Sequence, residues 1–360
     1  MPAPSSPFPS ADSQNKYEDL TGISTPTSSL PSGNPYDALI SASNNDPGTL
    51  QSLYAKHRTA RNALQRSKLL SPDFQGPILD PHLQRIVDPS LEPGWEDDRH
   101  CLTLWARPPQ RIRSLVAAIQ QKLLAVAPHL WTMPPPNLHL TALELAFSVT
   151  EAEISSLIAA LSPHLDDLTN YTLTHRPRLV KPMVSFDAAA LALSFVPAAG
   201  EGLSSDDPGA RTDDGINGNQ TDGNAGRIAD DDAYTYHHLR RDLFTAVTSP
   251  PAPCKPVKIN QRYVVPSAHL TIARFISSSD FSVSAADSAV DAEKVAKWVE
   301  CIEGINEWLR SEYWPAEGPE EEREGGKGGE WIVGEEKGLE CRRGTLWYGG
   351  GESVMIGQGS

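Results

Sequence analysis

The chain has 360 residues, a formal net charge of −15 and 39% hydrophobic residues, enough for a substantial folded domain. The acidic balance argues against a protein that coats nucleic acid, because such a protein needs a broad basic face to neutralise phosphates. The four cysteines show neither a CxxC pair nor a disulfide framework. No signal peptide or membrane-length apolar run is visible. We therefore expect a cytoplasmic or nuclear monomer with no membrane partner; the sequence identifies no protein partner.

The first 94 residues are expected to lie outside the main domain. Residues 1–47 are rich in Ser, Pro, Asn and Gly, which predicts a disordered tail too polar to join a core. Residues 48–94 carry a helical pattern of apolar residues beside several Lys and Arg residues, which predicts a peripheral helical extension. A basic patch for RNA or a protein partner is the alternative use of that helix.

Strand and helix patterns alternate over residues 95–358, and the order strand, helix, strand, helix occurs twice. The first repeat is predicted over 101–106, 112–126, 137–145 and 150–165. The second is predicted over 189–196, 236–247, 262–276 and 295–309. This repetition predicts an α+β fold with two pseudo-symmetric lobes, at about 95–187 and 188–358. Each lobe is expected to hold an antiparallel-rich sheet with helices packed outside, and a cleft is expected between them.

Other segments complete this outline. Thr150 and Glu153 predict a capping box at the start of one helix. Residues 173–197 are expected to form a strand pair, and short strands are predicted over 331–333, 345–348 and 353–356. The Gly- and Asp-rich residues 200–232 predict a disordered insertion, and residues 316–330 predict a Gly/Glu-rich loop.

The tripeptide His-Leu-Thr occurs in the corresponding strand of each repeat, at residues 139–141 and 269–271. Because side chains alternate between the faces of a strand, each motif presents one imidazole and one hydroxyl on the same face. The apolar neighbours anchor the other face. If the two lobes are related by a twofold axis, the sequence predicts two His and two Thr around one groove.

This set of side chains suits chemistry at phosphorus. His139 and His269, with ordinary pKa values near 6.5, can serve as general base and general acid at neutral pH. Thr141 and Thr271 can donate hydrogen bonds to the non-bridging oxygens of the transition state. We expect no metal, because the acidic and His ligands of a catalytic zinc site are not clustered near the motifs, and no cofactor. The alternative is that both histidines are ordinary core residues.

The remaining histidines give weaker signals. The tripeptide His57-Arg58-Thr59 also fits the pattern, but it lies in a helical segment, where residues two apart do not share a face. We interpret it as a chance match. His237 and His238 open a helix beside an acidic loop and are expected at the surface.

The segments Asn137-Leu-His-Leu-Thr-Ala-Leu and Ala268-His-Leu-Thr-Ile-Ala-Arg274, with their separation and strand–helix order, resemble the two-histidine (2H) phosphoesterase superfamily. Its members include LigT-like RNA 2′,5′-ligases and cyclic phosphodiesterases. The resemblance covers roughly residues 95–358. It implies a 2H-like fold that opens a 2′,3′-cyclic phosphate or a related cyclic phosphodiester of an RNA end or nucleotide; by reversal, some relatives join RNA ends.

The resemblance also assigns roles to residues. It gives His139 and His269 the acid–base roles, and Thr141 and Thr271 the contacts to phosphate. The alternative is a nucleotide- or RNA-binding module that has kept the fold without turnover. The tail, the insertion and the Gly/Glu-rich loop depart from compact members, which leaves the size of the substrate open.

Six further residues are candidate substrate contacts. Arg274 follows the second motif, but strict alternation turns it away from Thr271, so a structural salt bridge is the alternative. Trp347 and Tyr348 could stack on a base, with core packing as the alternative. The remaining three candidates are Arg107, Tyr263 and Arg342, while Trp105 is expected in the core.

Overall fold

The computed structural model of the protein describes residues 19–23, 33–201, 231–251, 254–261, 264–284, 287–315 and 328–359. The α-helices of these segments are α1 Asp37–Ala42, α2 Pro47–Leu69, α3 Pro81–Val87, α4 Gln110–Leu124, α5 Glu151–Leu161, α6 Leu165–Thr169, α7 Tyr236–Thr248 and α8 Ala292–Tyr313. The strands are β1 His100–Ala106, β2 Leu130–Thr132, β3 Leu140–Val149, β4 Arg178–Phe186, β5 Ala190–Pro197, β6 Ala268–Phe275, β7 Trp331–Ile332, β8 Leu339–Gly344 and β9 Glu352–Ile356.

The strands form two antiparallel sheets, so the fold is mixed α+β. The first sheet has the order β3-β1-β8-β9 and the second has the order β2-β6-β5-β4-β7. Each motif lies at the start of a strand, β3 for the first motif and β6 for the second. That strand pairs with the first strand of the same repeat: β3 pairs with β1, and β6 pairs with β5. The second sheet has one additional strand, the three-residue β2, beside β6. The repeated order of strand and helix is therefore present in both halves.

The division into two contiguous lobes at residues 187 and 188 is wrong. The C-terminal strands β8 and β9 return to the first sheet, where β8 pairs with β1. Conversely β2 and β4, which belong to the first half of the sequence, lie in the second sheet. The edge of a sheet can pair with any antiparallel strand whose apolar side chains face the same side. The local sequence of a strand therefore does not specify which sheet edge it joins.

Helices cover both sheets. Helices α4 and α8 pack on the second sheet and on each other, while α5 and α6 pack on the first. The capping box of Thr150 and Glu153 begins α5 as predicted. No helix in the described part of the chain combines the length and the apolar character needed to cross a membrane.

Three strand predictions near the motifs are wrong. The strand predicted over 262–276 extends only from Ala268 to Phe275. The strand predicted over 137–145 begins at Leu140, because residues 135–137 form a turn of 3-10 helix. The segment 345–348, predicted as a strand, is a turn between β8 and β9. Gly349 has φ +77°, and a Cβ there would lie 2.4 Å from the Asn137 Cβ. The turn thus packs directly on the segment that leads into the first motif, and only glycine permits that approach.

The N-terminal prediction is wrong for residues 33–47. Tyr36 is fully buried, belongs to the main core with Leu39, and stacks edge-on against Phe244 of α7. The side chain of Asn34 donates to the Arg241 carbonyl at 2.9 Å. Two buried aromatic or aliphatic side chains are enough to hold a polar segment against the core. The amino-acid composition of the whole segment does not reveal such single residues. Residues 1–18 and 24–32, like 202–230 and 316–327, lie outside the described residues.

Helix α2 is an integral part of the fold and not a peripheral extension. It begins at an N-cap, Asp46, whose side chain accepts from the Thr49 amide, with Pro47 at the first helical position. It lies across β4 and β5 and contacts α8. Leu50 and Tyr54 are almost completely buried in the main core.

His237 and His238 are buried, so the prediction that they lie at the surface is wrong. Tyr54 Oη donates to His237 Nδ1 at 2.8 Å, because His237 Nε2 donates to the Tyr36 carbonyl at 3.0 Å. His238 Nε2 lies 2.6 Å from Asn45 Oδ1. These bonds tie α1, α2 and α7 together. Burial lowers the pKa of His237 to about 3 and that of His238 to about 4.

These lowered pKa values predict a loss of stability in acid. Below pH 6.5 the unfolded chain binds protons that buried neutral histidines do not, so stability falls as the pH falls towards 4. We expect His237→Gln to keep both hydrogen bonds and remain near wild-type stability at pH 8. Between pH 6 and 4.5 it should reduce the slope of unfolding free energy by about 1.4 kcal/mol per pH unit. Urea unfolding across this range measures the slope, and identical slopes would contradict the prediction.

Candidate active site

Both His-Leu-Thr motifs alternate between the core and a cavity. The His and Thr side chains of each motif are partly exposed, while their apolar neighbours are at most 1% exposed. Those neighbours are Leu138, Leu140 and Ala142 in the first motif and Ala268, Leu270 and Ile272 in the second. The alternation follows from the period of two along an extended chain.

One cavity of about 600 Å³ is lined by both motifs. His139 and Thr141 reach it from the first sheet, and His269 and Thr271 from the second. Cys101, Thr103 and Trp105 of β1 extend the wall on the first side. The volume lies within the range of typical small-molecule sites.

Trp105 holds the ring of His139. The two rings are stacked, with centroids 3.6 Å apart and planes 15° from parallel. Trp105 is opposite Thr141 in the β1–β3 register, which brings its indole next to the motif. His139 Nδ1 lies 2.7 Å from the Asn137 carbonyl, to which it must donate, so the lone pair of the neutral ring is on Nε2.

The charge state of His139 follows from its surroundings. Burial lowers the pKa of His139 to about 3, outweighing the bond to the Asn137 carbonyl, which raises it. The neighbouring charges of Arg107, His269 and Arg342 lower this pKa further. His139 is therefore neutral at physiological pH, in the form that accepts a proton.

His269 has a different hydrogen-bond partner. Its Nδ1 lies 2.9 Å from Ser267 Oγ. A hydroxyl can donate or accept, so this contact is compatible with both the neutral and the protonated ring. On the neighbouring strand, His269 is opposite Ser194 and Thr271 is opposite Ala192. Ala192 lines the cavity, and its small side chain leaves open space beside Thr271.

Arg107 and Arg342 support Trp105 and do not line the cavity, which corrects their interpretation as substrate contacts. Their guanidinium carbons lie 5.0 and 5.3 Å from the Trp105 ring centroid. Both pair with Glu340, which is 4% exposed, at 2.5 and 2.8 Å. Arg107 Nη1 also donates to the Pro136 and Leu138 carbonyls, which fixes the segment that leads into His139.

Arg274 lines the cavity, so strict alternation from Thr271 is wrong here. Between Thr271 and Ala273, β6 advances two residues while β5 advances one. Such a bulge changes which face the following residues occupy. Arg274 also makes the salt bridge that was the alternative, with Nη1 3.3 Å from a carboxylate oxygen of Asp80. It belongs to both the framework and the cavity wall.

The two aromatic candidate residues in the turn after β8 differ in their position relative to the cavity. Trp347 lines the cavity and packs edge-on against Phe147. Tyr348 does not line it; its hydroxyl donates to Asp80 Oδ1 at 2.7 Å, and it is 8% exposed. Packing is therefore its role. Tyr263 lies outside the described residues.

The cavity has a basic wall, part of which lies on α2, where a basic patch was the alternative prediction. The charged residues that line the cavity, histidines apart, are five basic and two acidic ones: Arg58, Arg61, Lys68, Arg240, Arg274, Glu144 and Asp187. Three of the basic residues come from α2, where the alternation of Lys and Arg with apolar residues was the available signal. The cavity therefore has an excess of positive charge although the whole chain is acidic.

Comparison with known proteins adds no assignment to this geometry. No family model matches the chain, and no curated protein matches it. Within the described residues, no group of three or more His, Cys, Asp or Glu side chains is arranged to hold a metal ion.

The geometry at His139 predicts a titration result. We expect its ring to stay neutral, with the proton on Nδ1, from pH 8 down to about pH 5, since burial disfavours the charged form. Nitrogen-15 imidazole spectra of labelled protein measure both the charge and the tautomer, with His139→Gln identifying the signal. A midpoint near 6.5, or a proton on Nε2, would contradict the assignment.

Proposed function

We propose that this protein is a phosphoesterase of the 2H type that acts on cyclic phosphodiesters of RNA ends or nucleotides. The observation that carries the proposal is the single cavity lined by both His-Leu-Thr pairs, one from each sheet. Two imidazoles and two hydroxyls around one space supply what displacement at phosphorus requires: a base, an acid and donors to the charged oxygens.

The environments of the two histidines favour different roles. His139, neutral with its lone pair on Nε2, takes the proton from an attacking water. The water oxygen bonds to phosphorus as the bond to one ribose oxygen breaks. His269, whose Ser267 contact is compatible with a protonated ring, gives a proton to that leaving oxygen. The product is a phosphomonoester with a free ribose hydroxyl, and the catalyst is restored by proton exchange with solvent.

The threonines and the basic wall support binding of the phosphate. Thr141 and Thr271 are the hydroxyls on the same faces as the two imidazoles. They can donate to the non-bridging oxygens, which carry the negative charge in the transition state. Arg240 and Arg274 line the same cavity and raise its positive potential.

Turnover of nucleoside 2′,3′-cyclic phosphates tests the proposal. We expect His139→Ala and His269→Ala each to lower kcat by about 10²–10⁴-fold, the usual contribution of general acid–base catalysis. Thr141→Val and Thr271→Val should lower it less, by about tenfold, since each removes one donor. His129→Ala is the matched control, because the His129 side chain is 61% exposed and lies outside the cavity. Chromatography of the products gives the rates.

Three outcomes of this assay would be decisive. Full activity in either His→Ala variant would overturn the proposed roles. Saturable binding without any product would favour the alternative, a binding module with the same cavity. Loss of activity in EDTA would overturn the metal-independent mechanism, which is expected to keep its full rate.

A further inference from the structure

Arg58 is a buried cation without a carboxylate partner among the described residues. Its side chain is 5% exposed, yet it lines the cavity. Nη1 donates to the Lys181 carbonyl at 2.7 Å and lies 3.4 Å from the Ser194 carbonyl, while Nη2 makes no hydrogen bond to any described residue. Burial, together with the like charge of Arg310, lowers the pKa of Arg58 to about 9, while the guanidinium carbon lies 5.4 Å from the centroid of the Trp314 ring.

The position of Arg58 relates it to the second motif. Ser194, whose carbonyl faces the guanidinium, is the residue opposite His269 in the β5–β6 register. Residues opposite each other on antiparallel strands have Cα atoms roughly 5 Å apart. Ser194 therefore contacts Arg58 through its carbonyl and is the register partner of His269, so Arg58 lies beside the strand pair that carries the second motif.

The floor between the motif and Arg58 consists of small side chains. Ala192 is opposite Thr271 on β5, and Ser185 is opposite Ala192 on β4. Both residues line the cavity, together with Ala190. Large side chains at these positions would close the space, so the cavity continues from the motif across β5 towards α2.

Helix α2 forms the wall at that end. Arg58, Arg61, Gln65 and Lys68 all line the cavity, and their spacing of three, four and three residues puts them on one face of the helix. Arg61 is neutralised by Asp187 at 2.5 Å. Arg58 and Lys68 have no such partner in the described segments and give this face a net positive charge.

We propose that this α2 face binds a second phosphate group of the substrate. The substrate class is then a nucleotide or RNA end that carries at least one phosphate besides the one held by the His-Leu-Thr motifs. A phosphate would balance the buried charge of Arg58 and accept from its guanidinium in a charge-assisted hydrogen bond. The assignment of the first phosphate to the motifs rests on the proposed function, whereas anion binding at α2 does not.

Equilibrium binding tests the α2 site without requiring turnover. The probes are uridine 3′,5′-bisphosphate and uridine 3′-monophosphate, titrated into the full chain by calorimetry. We expect the bisphosphate to bind at least about tenfold more tightly, and Arg58→Met to remove about tenfold of that preference. Lys68→Gln, an exposed position that should not disturb folding, should remove about threefold. Arg66→Gln is the control on the same helix, since Arg66 pairs with Glu303 outside the cavity.

The outcomes separate this site from the proposed reaction. Equal affinity for the two probes, or an unchanged preference in both Arg58→Met and Lys68→Gln, would overturn the α2 site. A preference for the bisphosphate that falls in both variants would support it even if no cyclic phosphate is converted. In that case the proposed reaction would be wrong and the anion site on α2 would be supported. Conversely, turnover of the cyclic phosphate with equal affinity for the two probes would support the reaction and overturn the α2 site.

Discussion

Antiparallel pairing of β1 with β3 and of β5 with β6 is the constraint on which the rest of the site depends. Pairing fixes which residues of each motif face the cavity, because a slip of one residue exchanges the two faces of a strand. Leu140 and Leu270 are then buried, and the imidazoles and hydroxyls beside them cannot leave the cavity without exposing those leucines. Each buried leucine stabilises its register by roughly 1.5–3 kcal/mol. The same apolar contacts that stabilise the sheets thus position the polar groups.

A second layer then restricts the orientation of His139. The ring lies on Trp105, which in turn lies beneath Arg107 and Arg342, and Glu340 holds both guanidinium groups. This stack limits rotation of the imidazole and leaves Nε2 as the proton-accepting nitrogen. Without the acidic residue, two like charges would face each other beside a neutral ring. The cost of burying Glu340 is offset because it pairs with two cations at once.

Local sequence patterns were sufficient to predict part of this structure. The periods of two and 3.6 residues identified the strands and helices of both repeats, and the alternation at His139 and His269 needed no tertiary information. The grouping of strands could not be obtained in this way. The return of β8 to β1 joins residues more than 200 positions apart, and nothing near Leu339 in sequence specifies that partner.

The site shows the same division between local and long-range information. The bulge that turns Arg274 towards the cavity depends on how β6 matches β5, so its own sequence predicts the opposite face. Trp105 was expected in the core and is almost fully buried, yet it also stacks on the ring of His139. The burial of Tyr36 was not predicted, because the average composition of its segment is polar and conceals a single buried aromatic residue. In each case the missing information was the identity of a distant neighbour.

The net negative charge of the chain and the excess of positive charge in the cavity are compatible, because electrostatic interactions in water are local. Surface acids are screened by salt within about 10 Å, whereas charges inside a cavity with low-dielectric walls are screened much less. An anion entering the cavity therefore experiences the excess of basic over acidic side chains in the cavity wall. Burying Arg58 without a carboxylate costs stability in the free protein. A bound phosphate would recover that cost, so the arrangement favours binding over maximal stability of the empty fold.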